Sequence, residues 1–237
     1  MRQLIIALLS ILLFASCSEK KSTKNFGLSG NIKGLKSGTL YIQRMKDTIL
    51  VAIDTIKMEG NSNFTSEFDL RSPEMLYLFL DRGVTNSLDN NIPFFAEQGK
   101  MTINTSLDFF TADAKITGSK NQKLYEEYRK VVLQYVDQDL TLFERKFKAL
   151  KAKNTEEAKR IEEEQKGVLK RKYLYTTNFA VNHADYEVSP YVALAEIYDI
   201  NLKFMDTIQK SMTTKVAKSM YGKRLNDFIA ARKKEEK

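Results

Sequence analysis

The amino-acid sequence predicts an α+β chain: an N-terminal antiparallel β domain, sandwich-like, followed by an all-α helical region. Three observations carry this reading. Between Phe26 and Ile116 short apolar runs alternate with Gly, Asn, Asp and Pro, the pattern of strands joined by turns. From Ser119 onward apolar residues recur at every third or fourth position instead, the period of helices with one buried face. Charge changes at the same place: twelve Lys and Arg stand against twelve Asp and Glu from Ser18 to Gly118, but 25 against 18 from Ser119 to Lys237. The chain thus divides into a targeting segment (1–16), a tether (17–25), a β domain (26–118) and a charged helical region (119–237).

The first segment has the order of an export signal: Arg2, an apolar run from Leu4 to Phe14, then the small residues Ala15 and Ser16. A run of about eleven residues is too short for a membrane crossing, which takes roughly 20, so a removable signal is expected. Cys17 comes next and is the only cysteine of the chain. Leu13-Phe14-Ala15-Ser16-Cys17 resembles a bacterial lipobox, departing from it at Phe14, where an aliphatic residue is usual. The resemblance implies cleavage before Cys17 and a thioether-linked diacylglycerol on it, hence an envelope lipoprotein whose membrane contact is lipid. Two or more acyl chains give stable anchoring, at roughly 0.8 kcal/mol per buried methylene. An ordinary signal cut near Ala15, leaving a free thiol, is the alternative. Ser18 to Asn25 is polar and charged, as expected of a flexible tether. Ser18 in place of Asp after the cysteine favours the outer membrane, with the periplasmic and surface faces both open.

Within the β domain, Thr39 to Gln43 alternates, with Leu40 and Ile42 on one face. A second strand is expected over Thr48 to Lys57, with Ile49, Val51 and Ile53 sharing a face. After a turn at Glu59 to Asn63 comes a strand carrying Phe64 and Phe68 on one side. Pro73 precedes Met75 to Leu80, a nearly continuous apolar run that predicts a central strand buried on both faces. Asp81 to Asn91 is a polar insertion. Its Asp89, Asn90 and Asn91 lack the spaced acids and closing Glu of a calcium loop, so a plain loop is expected. The domain closes with Ile92 to Ala96, Met101 to Thr105 and Ala114 to Gly118.

These segments together are similar to a known family. Phe26-x-x-x-Gly30-x-Ile32, Gly38 to Ile42, Asp54-Thr55, Gly60-x-x-x-Phe64, Phe95-x-x-x-Gly99-x-Met101-x-Ile103 and Ile116 to Ser119 resemble a domain of unknown function found in Bacteroidetes lipoproteins. In that family the β domain and a helical region commonly precede a thioredoxin-like module of the peroxiredoxin or cytochrome-maturation type. The resemblance extends over roughly Phe26 to Gly222 and carries no catalytic residue. Ser219 to Leu225 resembles the connection toward that module, but here Lys233 to Lys237 follows, so a relative without the module is expected.

The helical region opens at Ser119-Lys120-Asn121-Gln122, which matches a capping box with Gln122 reaching back. Leu124, Tyr128, Val131, Val132, Tyr135, Leu142, Phe143, Phe147 and Leu150 predict one apolar stripe. Asn154 and Thr155 mark a break and a new cap. Ile161, Val168, Leu169, Tyr173 and Phe179 then continue the period in an antiparallel partner helix. Glu162 to Glu164 ahead of Lys170 to Lys172 reads as a solvated helix face. Ser189-Pro190 predicts the cap and first turn of a third helix, and shorter helices are expected over Phe204 to Met212 and Thr214 to Ile229.

The chemistry is bounded more by what is missing. Thiol-disulfide exchange needs a thiolate and usually a resolving cysteine, and lipid on Cys17 would consume the single one. His183 is the only histidine; a zinc site ordinarily uses several His or Cys ligands, and no Gly-x-Ser-x-Gly elbow accompanies it. No cofactor, metal or catalytic residue is therefore expected, and the chain is not expected to be an enzyme. The net charge of +8 comes from Lys and Arg interleaved with Glu, so nucleic acid is not an expected partner. The expected function is binding or scaffolding in the cell envelope, with an envelope protein or ligand as partner. An accessory role for a separate thioredoxin-like protein is the second reading, and an envelope glycan or peptide hydrolase the third.

Overall fold

The computed structural model describes residues 23–83 and 88–236. Eight strands come first: β1 (Phe26–Lys33), β2 (Ser37–Lys46), β3 (Ile49–Glu59), β4 (Asn63–Phe68), β5 (Glu74–Asp81), β6 (Asn91–Ala96), β7 (Gly99–Ser106) and β8 (Lys115–Thr117). Six helices follow: α1 (Lys120–Lys151), α2 (Thr155–Asn182), α3 (Val188–Glu196), α4 (Leu202–Ser211), α5 (Thr214–Lys218) and α6 (Met220–Glu235). The α+β reading, strands first and helices after, is what the structure has.

The strands form two four-stranded sheets, ordered β4-β1-β7-β8 and β3-β2-β5-β6. Phe26, Leu28 and Ile32 of β1 alternate inward and meet Leu40 and Ile42 of β2 and Leu76, Leu78 and Leu80 of β5 in one sandwich core. Gly30 interrupts that alternation for a steric reason. A Cβ there would lie 1.9 Å from the Ile103 carbonyl oxygen and 2.7 Å from the Phe64 ring, so the Phe64 side chain covers the space that Gly30 leaves. All pairings are antiparallel except β1 with β7, which run parallel. Parallel neighbours require a long crossover, and between Lys33 and Gly99 the chain builds the whole second sheet before returning.

β5 is interior to its sheet and buried on both faces, as its apolar run predicts. Leu76, Leu78 and Leu80 enter the sandwich, while Met75 and Tyr77 join Phe95 of β6 in a second core shared with the helices. The expectation for β3 needs correcting. Its pairing with β2 shifts between Ile42 and Gln43, a bulge that breaks the common face of Ile49, Val51 and Ile53. β5 pairs with β2 only from Thr39 to Arg44, so the β2–β3 end runs on as a two-stranded ribbon, leaving Ile49 62% exposed.

In α1 the single predicted stripe is two. Tyr128, Val132, Leu142 and Ala149 are buried, whereas Phe143, Phe147 and Leu150 are exposed together with Leu133, Val136 and Leu140. The helix turns both rows out at helical spacing, and only one meets α2. The third helix also starts differently from expectation. Glu187, not Ser189, stands before its first turn, and the Ser189 hydroxyl donates to the Ala180 carbonyl at 2.7 Å. The last predicted helix breaks at Ser219, which caps α6 by accepting from the Gly222 amide. Gly222 lets the two pieces touch, since a Cβ there would lie 2.0 Å from the Val216 carbonyl oxygen. Among the described residues no helix is long and apolar enough to cross a membrane.

The second core is rich in tyrosine. Tyr191 packs edge-on against Phe95, Tyr125 and Tyr221 at centroid distances of 5.5, 5.8 and 5.0 Å. Burial pushes the hydroxyls of Tyr128, Tyr191 and Tyr221 well above the ordinary tyrosine range. In the unfolded chain these groups ionise near pH 10. Neutral tyrosine is therefore favoured by folding, and its contribution, complete below about pH 10, is lost as pH rises further. Urea unfolding at pH 8 and pH 11 should show a fall in midpoint that Tyr191→Phe visibly reduces. An identical pH dependence in the variant would contradict this origin.

Candidate functional site

The sandwich and the helices are joined by a polar clasp at the start of α1. Ser119 caps the helix as predicted, accepting from the Gln122 amide at 3.0 Å. The Gln122 side chain does not reach back, however. It turns to β6, accepts from the Phe95 amide at 2.6 Å and donates to Glu126 at 2.7 Å. The place of the box acid is taken from across the fold by Glu97, just beyond β6. Its Oε2 accepts from the Ser119 hydroxyl at 3.0 Å and from the Lys120 and Asn121 amides at 2.9 and 3.2 Å. A carboxylate is well placed there, since the first-turn amides have no helical partner and the dipole favours negative charge.

Asn121 carries the clasp onward to α3. Its Nδ2 donates to the Glu187 carboxylate at 3.0 Å and its Oδ1 accepts from the Val188 amide at 2.8 Å. Asn121, Gln122 and Glu187 are all buried, where an unpaired polar group is costly. A further link closes the far side, the Met75 amide donating to the Tyr221 hydroxyl at 3.0 Å.

Next to this joint lies a cleft of about 910 Å³ lined by Arg44, Arg71, Ser72, Lys218, Ser219 and Lys223 among others. A smaller one of about 350 Å³ adjoins it, sharing Arg71, Ser72, Lys218 and Ser219. The buried acid of the larger cleft, Glu74, is neutralised by a two-pronged contact with Arg44 at 2.8 and 2.7 Å, geometry that suits a guanidinium–carboxylate pair.

The second exposed feature is the outer row of α1. Leu133, Val136, Leu140, Phe143, Phe147 and Leu150 are spaced alternately by three and four and all are exposed, Phe143 at 59% and Phe147 at 63%. That spacing is the a/d seam of a coiled coil. Beside it a groove of about 360 Å³, lined in part by Tyr135, Val136, Val168 and Leu169, runs between α1 and α2. Opposite charges brace this hairpin, with Arg145 to Glu157 and Glu164 and Lys146 to Glu162. The acidic block thus supports the hairpin.

Cys17 lies outside the described residues. His183 ends α2, its backbone amide donating to the Phe179 carbonyl and its ring packed at a tilt against Phe179, centroids 4.5 Å apart. Among the described residues no group of His, Cys, Asp and Glu could hold a metal ion. Part of the polar insertion is likewise outside the described residues. Its end forms a short 3-10 turn (Leu88–Asn90), where Thr111 donates to the Asp89 carbonyl at 2.8 Å. The sequence reading missed Glu97, Glu187, Arg71, Lys218 and Lys223. Lys223 lies within the Ser219 to Leu225 connection but with no role marked there, the others stand in no local motif, and only folding brings them to the joint. The exposed seam had a signal in its unbroken three-four spacing.

The β domain up to the clasp is similar to a known family. Residues 26–125 match a family model, Domain of unknown function (DUF4369). The DUF4369 match runs past Gly118 into α1, so Asn121 and Gln122 lie within it. Neither a curated protein nor a solved structure matches the chain.

Removing the clasp should loosen the whole fold. Asn121→Ala leaves the Val188 amide without its acceptor and the buried Glu187 Oε2 without its Asn121 donor, Lys215 reaching only Oε1, at a cost of about 3 kcal/mol, read as a lower urea midpoint. Asn121→Asp, which places a charge beside Glu97 and Glu187, should be no better tolerated. A change under about 0.5 kcal/mol in either variant would show that the clasp is dispensable.

Proposed function

We propose that the protein is a noncatalytic cell-envelope lipoprotein, held to the membrane by lipid on Cys17, that works as a binding or scaffolding module through the outer row of α1. The observation that carries this is the exposed seam: six large apolar side chains in coiled-coil spacing, on a helix whose other face is already packed. Monomers seldom leave contiguous apolar patches above roughly 300–600 Å² exposed without a use.

The charges beside the seam select the occupant. Asp137 and Glu144 flank its centre and Lys130 and Lys151 its ends. An antiparallel copy with Leu140 opposite Phe143 would set Asp137 against Glu144 and Lys130 against Lys151 on one flank, and on the other Asp139 against Lys146, two side chains already held by Gln165 and Glu162. A parallel copy would set Asp139 against Glu144 and Lys146 against Lys151. Flanking charges govern partner choice in coiled coils, and in both symmetric pairings like-charge contacts outnumber opposite ones. The occupant is a helix of a different protein, apolar at three-four spacing and basic beside its middle.

A thioredoxin-like protein is a specific candidate for that partner. The family resemblance sets the β domain and helical region beside a thioredoxin-like module in Bacteroidetes lipoproteins, an analogy of company rather than of activity. With one cysteine in the chain, dithiol chemistry would have to come from such a partner.

A photo-crosslinking residue in place of Phe143, in intact cells, should capture a helix of the stated chemistry, identified by its crosslinked peptide. With the crosslinker kept at 143, Leu140→Glu with Phe147→Glu should lower capture at least about tenfold with thermal unfolding unchanged, and Cys17→Ala should release the protein from the membrane fraction. Crosslinking to a second copy, or capture unaffected by the glutamates, would contradict the seam's role. Membrane retention without Cys17 would contradict the anchor.

A further inference from the structure

The cleft at the joint is cationic and lies where the tether meets the fold. Lys24 binds Asp69 at 2.7 Å, and Asp69 lines the cleft. Asn25 fixes the next segment with both side-chain atoms, donating to the Leu70 carbonyl at 3.0 Å and accepting from the Leu70 amide at 2.7 Å. Cys17 precedes Lys24 by seven residues, a reach of at most about 25 Å. A lipid on Cys17 would therefore enter its membrane close to the rim of this cleft.

The acids in the wall are already satisfied, Asp69 by Lys24 and Glu74 by Arg44. Arg71, Lys218 and Lys223 line the same space, exposed, and among the described residues no carboxylate stands within ion-pair distance of them. Ser72 adds a hydroxyl: its oxygen accepts from the Met220 amide at 3.3 Å and keeps its proton to donate. The positive end of the α6 dipole, capped by Ser219, lies on the same wall. Three cations and a hydroxyl donor around one cavity suit a group with several anionic oxygens. A volume of about 910 Å³ is ample for a headgroup and far exceeds a bare inorganic anion.

We propose that this cleft binds a phosphate-bearing lipid headgroup of the membrane that the Cys17 acyl chains enter. Anchor and cleft then engage one leaflet and fix how the fold, and with it the α1 seam, is oriented above the surface. The proposal rests on the lipid-anchor reading for the identity of the membrane, and on the cleft alone for the chemistry.

The test uses the full protein purified from membranes in neutral detergent, titrated calorimetrically with short-chain phosphatidylglycerol, short-chain phosphatidylcholine and inorganic phosphate. Phosphatidylglycerol should bind, more weakly as salt rises and more tightly than either other probe. The triple variant R71Q/K218Q/K223Q should lose roughly 100-fold in affinity, the scale expected for three cations near an anionic surface. K148Q/K153Q/K159Q, with the same loss of charge at the hairpin tip, should bind like the wild type, and both variants should unfold at the wild-type temperature. No binding of phosphatidylglycerol, equal binding by both triple variants, or inorganic phosphate binding as tightly as the lipid would overturn the headgroup assignment. The mass of the Cys17 peptide is read separately: an unacylated cysteine with intact headgroup binding would overturn the anchor and leave the cleft standing.

Discussion

The Glu97 carboxylate at the first turn of α1 is where the architecture is decided. It meets the backbone amides of Lys120 and Asn121, the groups a helix cannot satisfy from within. The two following side chains, Asn121 and Gln122, are thereby held to α3 and β6. A helix of 32 residues spans about 48 Å, so a small rotation at its base would sweep its far end through many ångströms. The clasp fixes that base with charge-assisted and buried hydrogen bonds, which are among the stronger ones available. Removing Asn121 or Gln122 strands a buried partner, the Val188 or the Phe95 amide, without its acceptor.

The apolar packing follows from the same joint. β5 and β6 each present one face to the sandwich and the other to the helices, so Leu78 and Met75, Phe94 and Phe95 sit in different cores of one backbone. Neither core can be dismantled without stripping one side of β5. The tyrosines fill the helical side because a ring that is largely apolar can still place its hydroxyl on a partner, as Tyr221 does with the Met75 amide and Tyr128 with Thr176.

Much of this was readable from residue order, and where it was not the reasons are physical. The apolar run of β5 announced burial on both faces, and Ser119 and Asn154 announced the starts of α1 and α2, because caps and periodicity are local signals. Ile49 and Val51 misled because a bulge in the partner pairing is not encoded where its effect is felt. Gln122 was read as closing a capping box, yet Glu97 from 22 residues before Ser119 filled that role, and distance in sequence hides such substitutions. The α1 row was read as one stripe because Tyr128 and Leu142 share hydrophobicity with Phe143 and Phe147. Only contact with α2 separates the covered row from the uncovered one. Arg71, Lys218 and Lys223 had no legible pattern, since Arg71 precedes β5 while the two lysines flank the α5–α6 junction far along the chain, and only folding brings them to one cleft.

The central claim is that sandwich and helical region share one joint and open together. Native-state hydrogen exchange followed at the Met75, Phe95 and Val188 amides tests it most directly. All three should exchange only through global unfolding, with the same free energy and denaturant dependence as the Leu78 amide in the sandwich core. Exchange of the Phe95 and Val188 amides through a smaller opening that leaves Leu78 protected would mean that the helices detach by themselves, and the account would be wrong.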